Sequence, residues 1–269
     1  MPSLDFAQIA APGLPARQRW LYWAYYGPFR KIICKASQVW LLSSAGVRFG
    51  PGRGLRLLWF DMAYRLGVYE LHVQQTLKTL LKPGDNFFDI GADMGFYAVL
   101  GARFVGSRGK VFAFERFAGN CERIRELMQA NVIDNIQVIP KSVGNAVGWV
   151  GFHAKGSAAE AAPAKDGKHL VPITTLDEFT REQSPPDAVL VDQGGAELLV
   201  LEGAKKLLQS TPPRFWVVAV NSPETLHAVG EVLAAHNYNL QMIKPPVDRK
   251  GAYPRHILAK SSTPSAVRP

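Results

Sequence analysis

From residue 86 onward, short apolar runs alternate with segments of helical periodicity, and this alternation restricts the fold more than any other feature. The apolar runs cover residues 86–90, 110–115, 136–139, 187–192, 214–220, 239–243 and 255–259. Helices are predicted over residues 69–81, 96–105, 119–131, 196–209 and 223–236. Strands that alternate with helices pair in parallel, and strands that are apolar throughout are covered on both faces. The sequence therefore predicts an α/β fold built on a largely parallel sheet.

Two segments lie outside this alternation. Residues 144–180 are predicted as an irregular insert with an exposed loop rich in alanine, glycine and lysine. At the other end, residues 1–16 are predicted as a loose arm, 17–45 as helical and 46–54, with four glycines and a proline, as a loop. Neither segment contains a readable motif.

The N-terminal segment is basic and rich in aromatic residues. Residues 1–60 contain eight basic residues and one acid, which accounts for +7 of the formal net charge of +9. Two interpretations stay open: a helical lid that packs on the rest of the chain, or a surface that contacts anionic lipid at the membrane interface. A nucleic-acid partner has less support, because no recognised nucleic-acid motif accompanies the charge.

Composition excludes several classes of protein. Apolar residues make up 47% of the 269 residues and charged residues 20%, which is typical of globular proteins and argues against a mainly disordered chain. No apolar run approaches the ~18 residues of a transmembrane helix, and the N-terminus lacks the pattern of a secretory signal. The two cysteines, Cys34 and Cys121, are too few for a disulfide framework or a cysteine-based metal site. We therefore expect a cytoplasmic protein without a metal, peripheral at the membrane if the lipid interpretation holds.

A glycine-containing segment with two carboxylates stands where the first strand of the alternation meets the next helix. In Asp89-Ile90-Gly91-Ala92-Asp93-Met94-Gly95, the glycines let the backbone turn tightly and approach a ligand closely. Glu115 follows at the end of the second strand, 24 residues after Gly91, and an acid at that spacing can accept hydrogen bonds from both hydroxyls of a ribose. These two signals predict a nucleoside ligand at the carboxyl ends of the strands.

The spacing of this segment also bears on which nucleoside cofactor binds. Dinucleotide folds show G-x-G-x-x-G, whereas Gly91 and Gly95 are separated by three other residues. Asp89 and Asp93 would repel the phosphates of a dinucleotide. S-adenosylmethionine has an ammonium, a sulfonium and no phosphate, so it fits this segment better than a nicotinamide dinucleotide, which remains the less favoured alternative.

Several blocks of the sequence, in order, resemble FkbM-type S-adenosylmethionine-dependent methyltransferases. They are LGVYE at 66–70, the stretch 80–115, an asparagine-containing block that ends at Ile139, TTLDEF at 174–179 and VDQGGAELLVLEGA at 191–204. The resemblance implies a Rossmann-like, seven-stranded methyltransferase sheet, mostly parallel with a reversed last strand, after an N-terminal helical extension. It divides the chain into an extension or lid (1–65), a cofactor-binding domain (66–260) and a flexible tail (261–269). The implied activity is O-methylation of a hydroxyl on a sugar, glycolipid or secondary metabolite.

The resemblance also implies a set of cofactor-binding positions: Glu70, Asp89, Gly91, Ala92, Asp93, Gly95, Glu115, Arg116, Ser142, Val143 and Asp192. The residues of the glycine segment would surround the methionine part, and Asp89 would order that segment and meet the ammonium. Glu115 would bind the ribose, and Ser142 and Val143 the adenine. Asp192 would lie beside the transferred methyl group, and Glu70 would close over the cofactor.

The sequence departs from the family pattern at several positions. Two lie on the cofactor side, where the family usually has asparagine and proline instead of Asp93 and Arg116. Three lie on the acceptor side, where Leu190, Gly194 and Asn221 replace a lysine and two glutamates. Two hypotheses follow. In the first, the enzyme is an active O-methyltransferase. In the second, the domain is catalytically silent and binds the cofactor or a partner without transfer.

An active enzyme needs a group that takes the proton of the acceptor hydroxyl. Asp192 is the leading candidate, because the resemblance puts it beside the methyl group. His72 is the alternative, because an imidazole titrates near neutral pH.

Overall fold

The structure of the protein, a computed structural model, describes residues 7–10, 16–26, 46–152, 169–245 and 255–262. Eight strands form the main sheet: β1 (Ala7–Ala10), β2 (Asn86–Ile90), β3 (Lys110–Phe114), β4 (Ile136–Ile139), β8 (Ala188–Val191), β9 (Phe215–Val220), β10 (Tyr238–Lys244) and β11 (Arg255–Ser261). Three shorter strands, β5 (Ser142–Val143), β6 (Gly148–Phe152) and β7 (His169–Thr174), form a second sheet.

The order across the main sheet is β1-β10-β11-β9-β8-β2-β3-β4. All neighbouring strands pair in parallel except β11, which is antiparallel to both β9 and β10. The predicted seven-stranded sheet with a reversed last strand is thereby confirmed, with β1 as an additional strand at its edge. β2 lies between β3 and β8, and the strands that follow it in sequence are placed first on one side of β2 and then on the other. The carboxyl ends of these three strands therefore border the crevice where ligands bind in such sheets.

The helices described are α1 (Ala16–Tyr26), α2 (Met62–Leu66), α3 (Leu71–Leu80), α4 (Phe96–Val105), α5 (Ala118–Asn131), α6 (Leu176–Phe179), α7 (Glu197–Glu202), α8 (Lys205–Ser210) and α9 (Pro223–Ala235). The single helix predicted over 196–209 is wrong, because it is divided at Gly203. A Cβ on Gly203 would lie 1.9 Å from the carbonyl oxygen of Gly144, so the chain needs glycine here for two backbone segments to touch. No helix in the described ranges is both long enough and apolar enough to cross a bilayer.

Alternate residues along each central strand supply the two apolar layers of the core. Phe87 of β2 faces one layer, together with residues of α3, α4 and α5, whereas its neighbour Phe88 faces the other, with residues of α7, α8 and α9. Both phenylalanines are fully buried. Apolar side chains on both faces of β2 explain why the strand is an uninterrupted apolar run in the sequence.

The N-terminal arm is not loose where the structure describes it. Residues 7–10 form β1 and pair in parallel with β10, from Ala7 opposite Gln241 to Ala10 opposite Lys244. The helix predicted to begin at residue 17 begins at 16, and residues 27–45 lie outside the described part of the chain. In α1, Tyr22 and Tyr25 are buried against an apolar cluster that includes Leu66 of α2, whereas Trp20 is exposed. The division of the chain at residues 65 and 260 stays a prediction.

The prediction of an irregular insert over 144–180 is wrong for its described residues. They supply β6 and β7, which join β5 in the second sheet in the order β5-β7-β6, and they end in α6. One face of this sheet packs through Val150 and Val171 on Phe117, whereas Trp149 and Leu170 are exposed. The lysine- and alanine-rich loop predicted within the insert falls in residues 153–168, which lie outside the described part of the chain.

Candidate active site

A cavity of about 230 Å³ opens at the carboxyl ends of β2, β3 and β8. Three groups of residues that follow these strands line it: Gly91, Ala92, Asp93 and Met94 after β2; Glu115, Arg116 and Phe117 after β3; Asp192 and Gln193 after β8. Further lining residues come from the segment before α3 and from the helices around it: Phe60, Tyr64, Tyr69, Phe96, Tyr97 and Asn120, with Phe114 at the end of β3. The three strand ends therefore meet at one concave site, as the sequence predicted for the glycine segment and Glu115.

The turn after β2 requires glycine at position 91. Its φ of +84° lies in the left-handed region, and a Cβ there would come within 2.0 Å of the carbonyl oxygen of Asp192. The Gly91 and Ala92 N–H groups both donate to the carbonyl oxygen of Phe114, at 3.0 Å each. The segment is thus fixed between β3 and β8, and its backbone can lie close to a ligand.

Glu115 is buried, and both of its carboxylate oxygens are held by the backbone. Oε2 accepts from the N–H of Asp93 at 2.9 Å, and Oε1 accepts from the N–H of Phe117 at 2.8 Å. Burial raises the pKa of Glu115 to about 7, although the Phe117 N–H acts in the opposite direction. Each oxygen retains a lone pair, so this oriented carboxylate can accept two hydroxyl hydrogen bonds at the cavity wall.

Asp89 lies beneath the cavity surface rather than on it. Its side chain is completely buried, and neither carboxylate oxygen has a hydrogen-bond partner among the described residues. Burial raises the pKa of Asp89 to about 8, and the charges of Asp192 and Glu115 add to the effect. A buried carboxyl without a partner destabilises the fold, so its presence here indicates a function other than stability.

Asp192 lines the cavity, and further carboxylates lie close to it. Burial raises the pKa of Asp192 to about 7, with additional contributions from the charges of Glu70 and Glu197. Glu197 begins α7, and its Oε1 accepts from the N–H of Gly195 at 2.9 Å. The cavity is therefore bordered by acids, and Arg116 is the one basic side chain among the described residues that line it.

Gln193 is a site residue that sequence reasoning missed. Its Nε2 donates to the carbonyl oxygen of Val143 at 2.6 Å, and its Oε1 accepts from the Val143 N–H at 3.0 Å. Ser142 and Val143, predicted to contact the adenine, do not line the cavity; Gln193 connects their strand to it. The available signal was a polar residue at a position where the family pattern has valine.

Glu70, Gly95 and His72 do not line the cavity either. Gly95 lies behind it, where a Cβ would come within 2.9 Å of Ile124. The Glu70 carboxylate accepts from the hydroxyl of Tyr97, a cavity residue, at 2.6 Å. His72 is buried, and its Nε2 lies 3.2 Å from Nδ1 of His256.

An aromatic wall forms the side of the cavity that faces the N-terminal segment. The rings of Tyr64 and Tyr69 are stacked with centroids 3.8 Å apart, and both meet Phe96 edge-on. Phe60 and Tyr97 complete this wall. Sequence reasoning missed it because its members come from α2, from the turn before α3 and from α4.

Comparison with known proteins decides the family. The model of the methyltransferase FkbM domain matches residues 89–240, which is more than half of the chain and contains both the glycine segment and Asp192. The chain belongs to the FkbM methyltransferase family. The prediction from the sequence blocks is thereby confirmed, and so is the prediction of S-adenosylmethionine as the cofactor on which this family depends.

Individual relatives are more distant. The structure of an FkbM methyltransferase from Methylobacillus flagellatus KT is 15% identical, with a TM-score of 0.50 over 74% of this chain and 55% of that one. Fibrillarin from Aeropyrum pernix, solved with natively bound S-adenosylmethionine, is 15% identical, with a TM-score of 0.46 over 70% of this chain and 73% of that one. Protein-L-isoaspartate O-methyltransferase 2 of Archaeoglobus fulgidus is 33% identical over 81 residues, which span 30% of this chain and 32% of the relative.

Proposed function

We propose that this FkbM-family protein transfers a methyl group from S-adenosylmethionine to a hydroxyl oxygen of a sugar, glycolipid or secondary metabolite. The observation that carries the proposal is the excess of carboxyl groups over basic groups at the cavity. Asp93, Glu115 and Asp192 line it, and Asp89 and Glu70 lie directly behind. Such a site disfavours phosphate-bearing cofactors and stabilises a ligand with positive charge.

The residues present fit this cofactor. Glu115, held by two backbone N–H groups, would accept hydrogen bonds from the ribose hydroxyls. Gly91 lines the cavity without a side chain, so its backbone could lie close to the methionine part. Asp89 lies beneath the cavity surface with no hydrogen-bond partner among the described residues, and a nearby ammonium would favour its ionised form. When bound, the cofactor supplies an electrophilic methyl group on its sulfonium.

Asp192 is the catalytic carboxylate of this proposal. It lies on the cavity surface, and with a pKa of about 7 it can exchange a proton at neutral pH. His72, the alternative, is separated from the cavity and contacts His256, so Asp192 is favoured. The substrate hydroxyl would be placed by proximity and alignment, which supply much of the acceleration in a displacement of this kind.

The N-terminal helix supports the interpretation of the first segment as a lid. Tyr22 and Tyr25 of α1 pack in one apolar cluster with Leu66. Tyr26 lies close enough to Glu70 for the charge of Glu70 to raise the pKa of the Tyr26 hydroxyl. α1 therefore borders the acid cluster behind the cavity. We infer that this helix helps to cover the acceptor. Equal sedimentation with neutral and anionic liposomes would support this reading over contact with a membrane.

Calorimetric titration with S-adenosylmethionine and S-adenosylhomocysteine tests the proposal. Binding that Glu115→Ala weakens by about 1–3 kcal/mol would support it, because that is the scale for an unpaired polar group. Glu122→Ala is the matched control, since Glu122 is exposed and pairs only with Arg125 among the described partners. Transfer of a radiolabelled methyl group to a panel of glycosides, glycolipids and phenols then separates an active enzyme from a silent binding domain. A folded protein that binds neither ligand would refute the proposal.

A further inference from the structure

A chain of four polar side chains leads from the cavity wall into the interior. Tyr97, which lines the cavity, donates from its hydroxyl to Oε2 of Glu70 at 2.6 Å. Nε2 of His256 lies 3.6 Å from the same oxygen, and Nδ1 of His256 lies 3.2 Å from Nε2 of His72. The four residues come from α4, the turn before α3, β11 and α3, and side chains of α4 and β11 contact the Glu70 carboxylate.

The backbone at Glu70 is strained in a way that capping a helix does not explain. Glu70 has φ +36° and ψ +46°, a left-handed conformation that residues other than glycine rarely adopt. It stands at the N-cap of α3, yet its side chain makes no capping hydrogen bond. The conformation instead directs the carboxylate towards Tyr97 and His256. Backbone strain of this kind concentrates at functional sites.

The nearby carboxylate of Glu70 indicates where the protons lie on the two histidines. The carboxylate of Glu70 favours a proton on Nε2 of His256, which leaves Nδ1 of that ring as an acceptor for the Nε2 proton of His72. Nδ1 of His72 is then an unprotonated nitrogen, in keeping with its lack of a hydrogen-bond partner in the described part of the chain. Burial lowers the pKa of His256 to about 4 and that of His72 well below its usual value, so both rings are neutral. They orient the carboxylate but do not neutralise it.

Glu70 is consequently a buried carboxylate that can hold a proton. Burial raises its pKa to about 7, although hydrogen bonds from Tyr97 and Tyr69 act to lower it. The titratable groups that face it from the surrounding elements are Tyr26, Tyr64, Tyr69, Tyr97, Asp192 and His256. None of these is a permanent cation, so nothing among them holds Glu70 ionised at neutral pH.

We propose that Tyr97 and Glu70 form a second proton acceptor beside Asp192, with His256 and His72 as positioning residues. This inference rests on the proposed function. A positive sulfonium near Asp192 would keep that carboxylate ionised and make it a weak base. Glu70 lies behind Tyr97, one hydrogen bond farther from the cavity, and is less exposed to that charge. With the cofactor bound, Asp192 would be the carboxylate that faces the sulfonium, and Glu70 the stronger base of the two acceptors.

The proposed step balances as follows. The acceptor's O–H bond breaks and its proton bonds to the oxygen of Tyr97, while the proton that Tyr97 held bonds to Oε2 of Glu70. The electron pair of the broken O–H bond forms the bond from the acceptor oxygen to the methyl carbon, and the electrons of the carbon–sulfur bond stay on sulfur. The products are a methyl ether, S-adenosylhomocysteine and neutral Glu70. Its carboxyl is slightly exposed, so the proton can pass to solvent.

The first arm of the test needs no acceptor. Carbon-13 NMR of side-chain-labelled glutamate, recorded from pH 5 to 9 with S-adenosylhomocysteine bound, should show a carboxyl resonance that titrates near neutral pH and is missing from the spectrum of Glu70→Gln. Tyr97→Phe removes a donor to the charged form and should raise that midpoint by about one pH unit. Tyr238→Phe, whose hydroxyl donates to the carbonyl oxygen of Pro213 far from the site, should leave it unchanged. A Glu70 midpoint near 4.5, or one that Tyr97→Phe does not move, would overturn the inference even if Glu70→Gln fails to fold.

The second arm measures single-turnover methyl transfer to hydroxyl acceptors from the panel. The wild-type rate should rise about tenfold per pH unit below neutrality and then level off. Tyr97→Phe and Glu70→Gln should lose about 10²-fold in rate and this pH dependence, with cofactor affinity kept within threefold. Equal rates and pH profiles in wild type and Tyr97→Phe would overturn the inference. A wild-type protein that binds the cofactor but transfers to no hydroxyl would refute the proposed activity, and the NMR arm would still decide whether Glu70 holds the proton.

Discussion

Replacement of Asp89 by asparagine should stabilise the unliganded protein, by an amount that grows with pH. The carboxyl is completely buried without a partner, and its pKa rises from 3.8 to about 8 in the folded state. Between these two values the folded protein carries a proton that the unfolded chain lacks. Each pH unit of increase therefore lowers the free energy of unfolding by about 1.4 kcal/mol. Asparagine has the same shape and no such dependence.

The difference between the two proteins is the quantity to measure. From pH 5.5 to 7.5, the free energy of unfolding of Asp89→Asn should rise relative to wild type by about 2.7 kcal/mol, which is two pH units at about 1.36 kcal/mol each. Urea unfolding at several pH values gives these free energies directly, and Asp134→Asn, an exposed carboxyl, is the control. Glu115 and Asp192 titrate in both proteins, so their contributions largely cancel in the difference.

The same substitution should weaken the binding of the cofactor. If Asp89 meets the ammonium, calorimetry should show S-adenosylmethionine affinity reduced by about tenfold or more in Asp89→Asn, the scale of a charge-assisted hydrogen bond. A more stable protein with weaker binding would show that the buried acid is retained for function at the expense of stability. Parallel pH–stability curves for the two proteins would refute the reasoning.

Three further predictions follow from the structure. Gly91→Ala should destabilise the protein by more than about 3 kcal/mol and abolish cofactor binding in calorimetry, because left-handed backbone strain adds to a collision with the Asp192 carbonyl oxygen. The control is Gly84→Ala, where φ is +95° but a Cβ would meet open space, and it should lower the free energy of unfolding by only about 1 kcal/mol. Cofactor binding near pH 7 should release protons, because Glu70, Glu115 and Asp192 have pKa values near 7 and a cation favours their ionised forms. Calorimetry in phosphate and in Tris would show this release as a buffer-dependent binding enthalpy. The buffer dependence should be larger for S-adenosylmethionine than for S-adenosylhomocysteine. Arg214→Met should lower the free energy of unfolding by about 3 kcal/mol in thermal denaturation, because it leaves the mostly buried carboxylate of Asp85, at the amino ends of the strands, without its ion-pair partner. A loss of cofactor affinity in this variant would contradict the assignment of the site to the opposite edge of the sheet.

The core elements could be predicted because local pattern and burial agree there. Strand 86–90 and helix 96–105 have the predicted bounds, since the strand is covered on both faces and the helix ends at Gly106. By contrast, β1 is four residues long and takes its conformation from the neighbouring β10, a partner more than 200 residues away in sequence. The second sheet was missed for a related reason: only one of its faces is buried, and glycine and proline interrupt its strands.

The candidate site likewise contains residues that the sequence could place and contacts that it could not. Gly91, Asp93 and Glu115 could be placed from spacing alone, because the carboxyl ends of adjacent parallel strands bring them together. The contact of His72 with His256 joins residues 184 positions apart, and that of Gln193 with Val143 joins residues 50 apart. Such pairs depend on how helices and a reversed strand pack, which a single sequence does not encode locally.

Both outer strands of the main sheet, β1 and β4, are only four residues long, and this affects how shortened versions of the protein would behave. A short outer strand offers few free N–H and C=O groups to another chain. Removal of residues 7–10 would leave β10, with seven residues, as the new border of the sheet. A fragment that begins at the cofactor-binding part should therefore self-associate through strand pairing, and shortened versions for crystallisation or binding studies should retain residues 7–10.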